Sequence, residues 1–415
     1  MTSTFAMSST RSGSIPSPAV INAPRSARVE SIDLLRGIVM IIMALDHVRD
    51  YFNRSAYLFD PTDLHQTSVI LFFTRWITHF CAPVFMLLSG VAAYLYQQKN
   101  GRRAAARFLL TRGLWLIFAE LILVTLGWTF NIHYGIFILQ VIWAFGISMI
   151  VLSGLVYTAR GALLAVALLL IGGHDLLDGI HVGGNGFSAV LWAFLHAQRG
   201  FTFGPVNFFV GYPILPWIGI IALGYWLGDL YHPGRDPAER RRMLRRLGWG
   251  AIGLFFLIRA FDAYGDPAPW SAQPGVAMTI VSFLNVSKYP PSLLYILVTV
   301  GPALLFLSAA ERPLNALTRP IAVFGRVPMF YYLVHIYFLH ALAVAAAALS
   351  GFPPSAMVGL TNWVTANAQL KGYGFGLGVV YAVWVGSVIV LYPLCRWFDR
   401  YKRAHAAQQK WLSYL

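Results

Sequence analysis

Residues 31–47, SIDLLRGIVMIIMALDH, read as the start of a membrane-spanning helix, yet they hold Asp33, Arg36, Asp46 and His47. Ionisable groups inside a bilayer are costly and rare, so each is a functional hypothesis by default. Arg36 and His47 stand eleven residues apart, about three turns of helix. They therefore share one face, with His47 about 16 Å further along the axis. That spacing puts a cation near one membrane surface and a proton-transfer group toward the middle, an arrangement suited to chemistry that crosses a membrane. A neutral histidine is the usual general base or acyl acceptor near neutral pH. Asp46 beside it and Asp50 one turn on supply a carboxylate to orient the imidazole and raise its basicity.

Other polar groups recur in apolar surroundings. Arg75, Thr78 and His79 lie together, with Arg75 and His79 one turn apart on one face. Glu120 is expected at mid-membrane and Gln140 in the outer half of the next span. Asn285, Lys288 and Tyr289 precede a later span. Arg326 is expected near the inner surface, with His335 and His340 further out. These groups cluster if their spans surround one cavity. Each also has a plainer reading. Arg75 pairs with a carboxylate such as Glu120; Arg36 with Asp33 forms an interfacial anchor; His340 is wetted near an interface. The Pro- and aromatic-rich segments GYPILPWIG, YGDPAPW and KYPPSLL are expected at outer span ends, where proline breaks helices and the aromatics form an interface belt or line a sugar-sized mouth, the belt being the plainer reading.

The elements that must position these groups follow from composition. The chain of 415 residues is 58% hydrophobic and 11% charged, with mean hydropathy +0.63. Soluble domains carry about 25% charged residues, so this is an all-α, polytopic membrane protein. About ten spans of the length a bilayer requires are expected, within a range of about 9–11. They run over residues 34–51, 68–96, 113–130, 134–157, 162–173, 213–230, 247–261, 292–309, 321–349 and 374–396, with an extra half-span over 201–210. Arginine-rich loops alternate with loops holding Asp60, Asp63, Asp175, Asp178, Asp262 and Asp266, which places both termini in the cytoplasm. The net charge of +15 then reflects topology and lipid contact, and no nucleic-acid partner is expected. Residues 1–28 are expected to be a disordered cytoplasmic tail, 29–398 the membrane domain and 399–415 a basic cytoplasmic tail. Cys81 and Cys395 form no disulfide framework or zinc spacing, and no metal is expected.

Three segments carry a family likeness: residues 31–47, THFCAPVFMLLSG at 78–90 and GRVPMFYYLVH at 325–335. The chain resembles the catalytic domain of heparan-alpha-glucosaminide N-acetyltransferase, in particular its short bacterial homologues. The first span is also similar to that of bacterial acyltransferases that O-acetylate surface polysaccharides, which carry an Arg, ten residues, then a His. The resemblance implies transfer of an acyl group, usually acetyl, from cytoplasmic acyl-CoA to an acceptor across the membrane, with Arg36 and His47 as the functional pair. The lysosomal enzyme has no His at the position of His47. Its proposed catalytic His lies in the loop after the first span, where this chain has His65. His79 also stands where that family has an acid. The candidate catalytic histidine is therefore His47, His65 or His79.

Together these readings give an acetyl-CoA-dependent transmembrane acyltransferase acting on a sugar or small polar acceptor. Its catalytic candidates are His47, Asp46, Asp50, His79, Glu120 and His335, and its cofactor-binding candidates Arg36, Asp33 and Arg326. Membrane lipids and a second copy of the chain are the other expected partners. For a bacterial source the inner membrane is expected, because outer-membrane proteins span as barrels. The rival readings are a proton-coupled transporter using the same groups as a relay and haem bound between paired histidines.

Overall fold

The computed structural model describes Thr2, residues 29–406 and residues 408–415; the tail expected over 1–28 otherwise lies outside the described residues. The chain is mostly helical. It opens with α1 (Glu30–Phe52), α2 (Val69–Trp76), α3 (Cys81–Asn100), α4 (Arg102–Ala119) and the short α5 (Thr125–Thr129). Strand β1 (Ile136–Leu139) leads into α6 (Val141–Leu155), α7 (Arg160–Gly172) and α8 (Phe187–Leu195). Strands β2 (Arg199–Phe203) and β3 (Val206–Val210) follow, then α9 (Leu215–Leu227), α10 (Pro237–Phe261) and α11 (Val276–Leu284). The rest is α12 (Leu293–Ala309), α13 (Thr318–Arg326), α14 (Pro328–Leu349) and α15 (Leu377–His405). Among the described residues, four helical stretches are long and apolar enough to cross a membrane: Val69–Asn100, Arg102–Thr129, Pro328–Leu349 and Leu377–His405. Helices α6, α7 and α12 are apolar but shorter, and α1 and α10 carry several charges each. Apolar side chains such as Leu169 on α7 and Ile389 on α15 point outward, 70% and 65% exposed, as lipid-facing residues do.

Two expected continuous spans are broken, and in both a proline explains the break. A proline ring clashes with the carbonyl four residues back and leaves it without its helical donor. Pro83 frees the carbonyl of His79, the chain tightens to a 3₁₀ turn over Ile77–Phe80 between α2 and α3, and the Tyr295 hydroxyl donates to that oxygen at 2.8 Å. Pro328 starts α14 after a non-helical Val327, since the residue before a proline is held out of the helical region; at this break the Gly325 carbonyl, three residues back, accepts from Arg36 Nη1 at 3.2 Å. The expected half-span over 201–210 is instead a hairpin: β2 pairs antiparallel with β3, and β3 pairs parallel with β1. Gly204 at its tip has φ +59°, a conformation that suits glycine. The last helix runs to His405, past the expected end of the tenth span.

The helices pack through facing glycines. A Cβ on Gly37 of α1 meets the Ile321 carbonyl oxygen of α13 at 2.0 Å, and one on Gly325 meets the Asp33 carbonyl oxygen at 1.9 Å. Gly90 of α3 and Gly224 of α9 face each other's backbones in the same way, at 2.1 and 2.0 Å. Small residues that let backbones touch are the packing device of helices in lipid, where burial of apolar surface no longer drives association.

Candidate active site

A cavity of about 460 Å³ runs beside α1 and is lined in turn by Arg36, Met40, Met43 and His47. These positions fall at intervals of four, three and four residues, so one face of a 3.6-residue helix lines the cavity over about three turns. Arg326, Arg112 and Lys402 line it as well. Arg36 pairs with Asp33 at 3.5 Å. Arg326 is gripped bidentately by Asp399 of α15, with Nε–Oδ1 at 3.0 Å and Nη2–Oδ2 at 2.8 Å. Arg326 therefore ties α13 to α15 while also facing the cavity. Arg112 lies within electrostatic range of Arg36. It and Lys402 are cations that the sequence reading missed, because one precedes the expected third span and the other falls in the expected tail.

The expectation that Asp46 or Asp50 orients His47 is corrected by the geometry. Arg49 Nη2 bonds Asp46 at 3.1 Å and Asp50 at 2.6 Å. Arg75 Nη1 reaches the other Asp46 oxygen at 3.4 Å, and Lys288 Nζ stands 3.8 Å from it. Three cations thus draw on two carboxylates. The group that touches His47 is His335 of α14, whose Nε2 lies 2.7 Å from His47 Nδ1. His335 Nδ1 lies 2.8 Å from the Tyr331 carbonyl oxygen one turn back. A carbonyl only accepts, so His335 Nδ1 carries the proton. In neutral His335 the Nε2 then holds a lone pair, and His47 Nδ1 must donate to it. This leaves His47 Nε2 as a bare lone pair on a side chain that lines the cavity. Trp128 meets the His47 ring edge-on at a centroid distance of 4.8 Å, and Tyr332 does so at 6.0 Å.

The remaining candidates lie off the cavity wall. His79 is buried against Tyr295, and its Nδ1 has no partner among the described residues. Glu120 does not pair with Arg75 as expected. A π-helical turn over Glu120–Val124 carries its carboxylate to the N-terminus of α6, where it accepts from the Trp143 N–H at 2.8 Å. Carboxylates are favoured there by the unpaired N–H groups and the helix dipole, so Glu120 acts as a cap. His65 sits in the exposed loop after α1. His340, expected to be wetted, is fully buried between Phe130 and Tyr51, with its nitrogens 2.8 Å and 2.7 Å from the Gly127 and Met357 carbonyl oxygens. Of His47, His65 and His79, His47 alone lines the cavity.

The family profile for heparan-alpha-glucosaminide N-acetyltransferase, catalytic, matches residues 28–253. That is just over half of the chain. The chain belongs to this family. The heparan-alpha-glucosaminide N-acetyltransferase match takes in α1 with Arg36 and His47, the Arg75 and His79 turn, and Glu120. It stops within α10, so His335, Lys288 and Arg326 come from the part beyond it. Membership makes the protein an acetyltransferase-like membrane enzyme. No curated protein matches the chain.

Proposed function

We propose that this protein moves an acyl group, acetyl in the simplest case, from acyl-CoA in the cytoplasm to a sugar or small polar acceptor on the far side of the membrane. About ten spans with both termini cytoplasmic put the Arg36 end of α1 inward, and for a bacterial chain the membrane is the inner one. Acetyl-CoA is the donor that the family implies. Its phosphates suit the cations Arg36, Arg112, Arg326 and Lys402, since guanidinium and ammonium groups make charge-assisted bonds to phosphate. The cavity then leads the thioester along the face of α1 toward His47.

His47 Nε2 takes the proton from the acceptor hydroxyl or amine as that oxygen or nitrogen attacks the thioester carbon. The carbon–sulfur bond breaks, and the proton held on His47 passes to the departing thiolate, so atoms and charge balance. Attack by Nε2 itself, giving an acyl-histidine that the acceptor then opens, uses the same lone pair. In either course His335 holds the other ring nitrogen and disperses the charge that His47 gains. The observation that carries this reading is the 2.7 Å contact between His47 and His335 at the wall of the cavity that also reaches Arg36.

Water can serve as a slow acceptor, which supplies a test that needs no knowledge of the natural one. Detergent-purified wild type is expected to bind acetyl-CoA saturably and hydrolyse it slowly. His47→Ala should keep binding and lose hydrolysis, while Arg36→Ala should weaken binding. Undiminished hydrolysis by folded His47→Ala would sink the assignment.

A further inference from the structure

The cavity wall near His47 holds an ammonium that the protein leaves short of partners. Trp128 and Tyr332 line the cavity beside the His47 ring and interact with each other, and Gln140 lines it as well. Lys288 adds a cation. Its side chain is 8% exposed, it lines the same cavity, and it makes no hydrogen bond among the described residues. Its ionic neighbour is Asp46 at 3.8 Å, a carboxylate already engaged by Arg49 and Arg75.

The Lys288 ammonium is held in place from behind. It sits on a loop between α11 and α12 whose ends are pinned by Asp266. That carboxylate accepts from the Ser287 N–H at 2.7 Å and from the Ser292 hydroxyl at 2.6 Å. The Tyr289 ring lies under the ammonium at 5.2 Å, and the Tyr289–Pro290 peptide is cis. A buried ammonium short of partners is expensive unless an anion or strong acceptor completes its shell. Three cations, Arg49, Arg75 and Lys288, meet two carboxylates here, leaving one positive charge on the wall beside neutral His47. Such a wall complements a ligand carrying one negative charge.

We propose that the acceptor acylated at His47 also carries an anionic group, a carboxylate or a phosphate ester, that binds the Lys288 ammonium. This rests on the reading of the cavity as an acyltransferase site and specifies its acceptor class. The anionic group meets the Lys288 ammonium and the hydroxyl or amine to be acylated points at His47 Nε2. The donor's phosphates occupy the Arg36 region instead, so the two substrates meet His47 from different sides.

The test uses three hexoses that differ at one carbon: glucose, glucuronic acid and glucose 6-phosphate. Each is titrated into the full-length wild-type protein in detergent, and binding is read by shift of the melting temperature and by calorimetry. Glucuronic acid, glucose 6-phosphate or both should bind about tenfold or more tightly than glucose, the gain expected from one buried charge-assisted contact. Whichever of the two binds identifies the anion as carboxylate or phosphate. Lys288→Met should erase that preference and Lys288→Arg retain it, both with unchanged affinity for acetyl-CoA. No preference for either anion by wild type overturns the proposal even if Lys288→Met does not fold. So does equal preference in Lys288→Met, or loss of acetyl-CoA binding there, which would place the ammonium on the donor. Failure of the acyltransferase reading appears separately, as hydrolysis that survives in His47→Ala.

Discussion

Removing His335 tests the tautomer argument directly. In His335→Ala the His47 Nδ1–H loses its acceptor at 2.7 Å, inside a helix pair where no water-exposed substitute faces it: His335 itself is fully buried. A buried donor left unmade costs about 1–3 kcal/mol. Two effects follow from that cost. The imidazole is freed to turn, and the tautomer with hydrogen on Nε2 becomes competitive, which blocks the lone pair needed for proton removal. Charge gained by His47 in the transition state also loses its neighbour. At about 1.36 kcal/mol per factor of ten, the rate of acetyl-CoA hydrolysis should fall about 10- to 100-fold. Acetyl-CoA affinity should not change, because His335 does not line the cavity. His335→Gln, whose amide oxygen can accept from Nδ1–H, should recover part of the loss. The decisive comparison is the double variant. Groups that act as a unit are not additive, so His47→Ala with His335→Ala should be no slower than His47→Ala alone. Wild-type turnover in His335→Ala, or a double variant slower by the full His335 factor, would refute the assigned role of His335.

Three further outcomes follow from the packing and the ion pairs. Gly37→Ala or Gly325→Ala places a methyl against a backbone carbonyl at 2.0 or 1.9 Å, so each should destabilise the protein by about 1–3 kcal/mol or more, read as a lower melting temperature in detergent; an unchanged melting temperature refutes the close contact. Arg259 is fully buried and donates to the carbonyls of Phe283, Ala268 and Asn285 at 3.0, 2.9 and 2.9 Å. Arg259→Lys should be nearly as damaging as Arg259→Met, about 3–5 kcal/mol, because an ammonium cannot reproduce the fork; full stability of the lysine variant would contradict this. Glu120→Ala should lower stability by about 0.5–2 kcal/mol through the lost helix cap while leaving the acetyl-CoA dissociation constant at its wild-type value, and a large change in that constant would return Glu120 to the cavity.

The part of the site that lies on one helix was legible from residue spacing. Arg36 and His47 face one cavity because a period of 3.6 residues leaves little freedom over eleven positions. What the spacing could not supply was any partner from another helix. His335 lies 288 residues further along the chain, and the residues around it in sequence gave no sign that it meets His47. Asp46 looked like an orienting group because it adjoins His47, but adjacent residues on a helix diverge by about 100°; Asp50 lies one turn on from His47, and what spacing could not show is that Arg49 and Arg75 draw both carboxylates away. Glu120 showed its charge and concealed its task, since a cap is defined by where another helix begins. The prolines that split two spans, Pro83 and Pro328, were visible, but Pro302 and Pro393 lie inside the unbroken α12 and α15, so a proline alone did not say which spans break. The hairpin of β2 and β3 was mistaken for a half-span because its aromatic residues are apolar enough for either.

The bare contact between α1 and α13 has a consequence for selectivity. Two backbones that touch through Gly37 and Gly325 cannot slide or rotate past each other by a turn without driving a side chain into the gap. His47 rides on α1 and Arg326 on α13, so the separation between imidazole and guanidinium is a fixed gauge. If His47 is the catalytic group, as proposed above, it does not travel to meet its substrate; the substrate must be long enough to reach it. On that proposal a thioester whose arm falls short of the gauge is held by its charges and does not react, so the donor is selected by length as well as by phosphate.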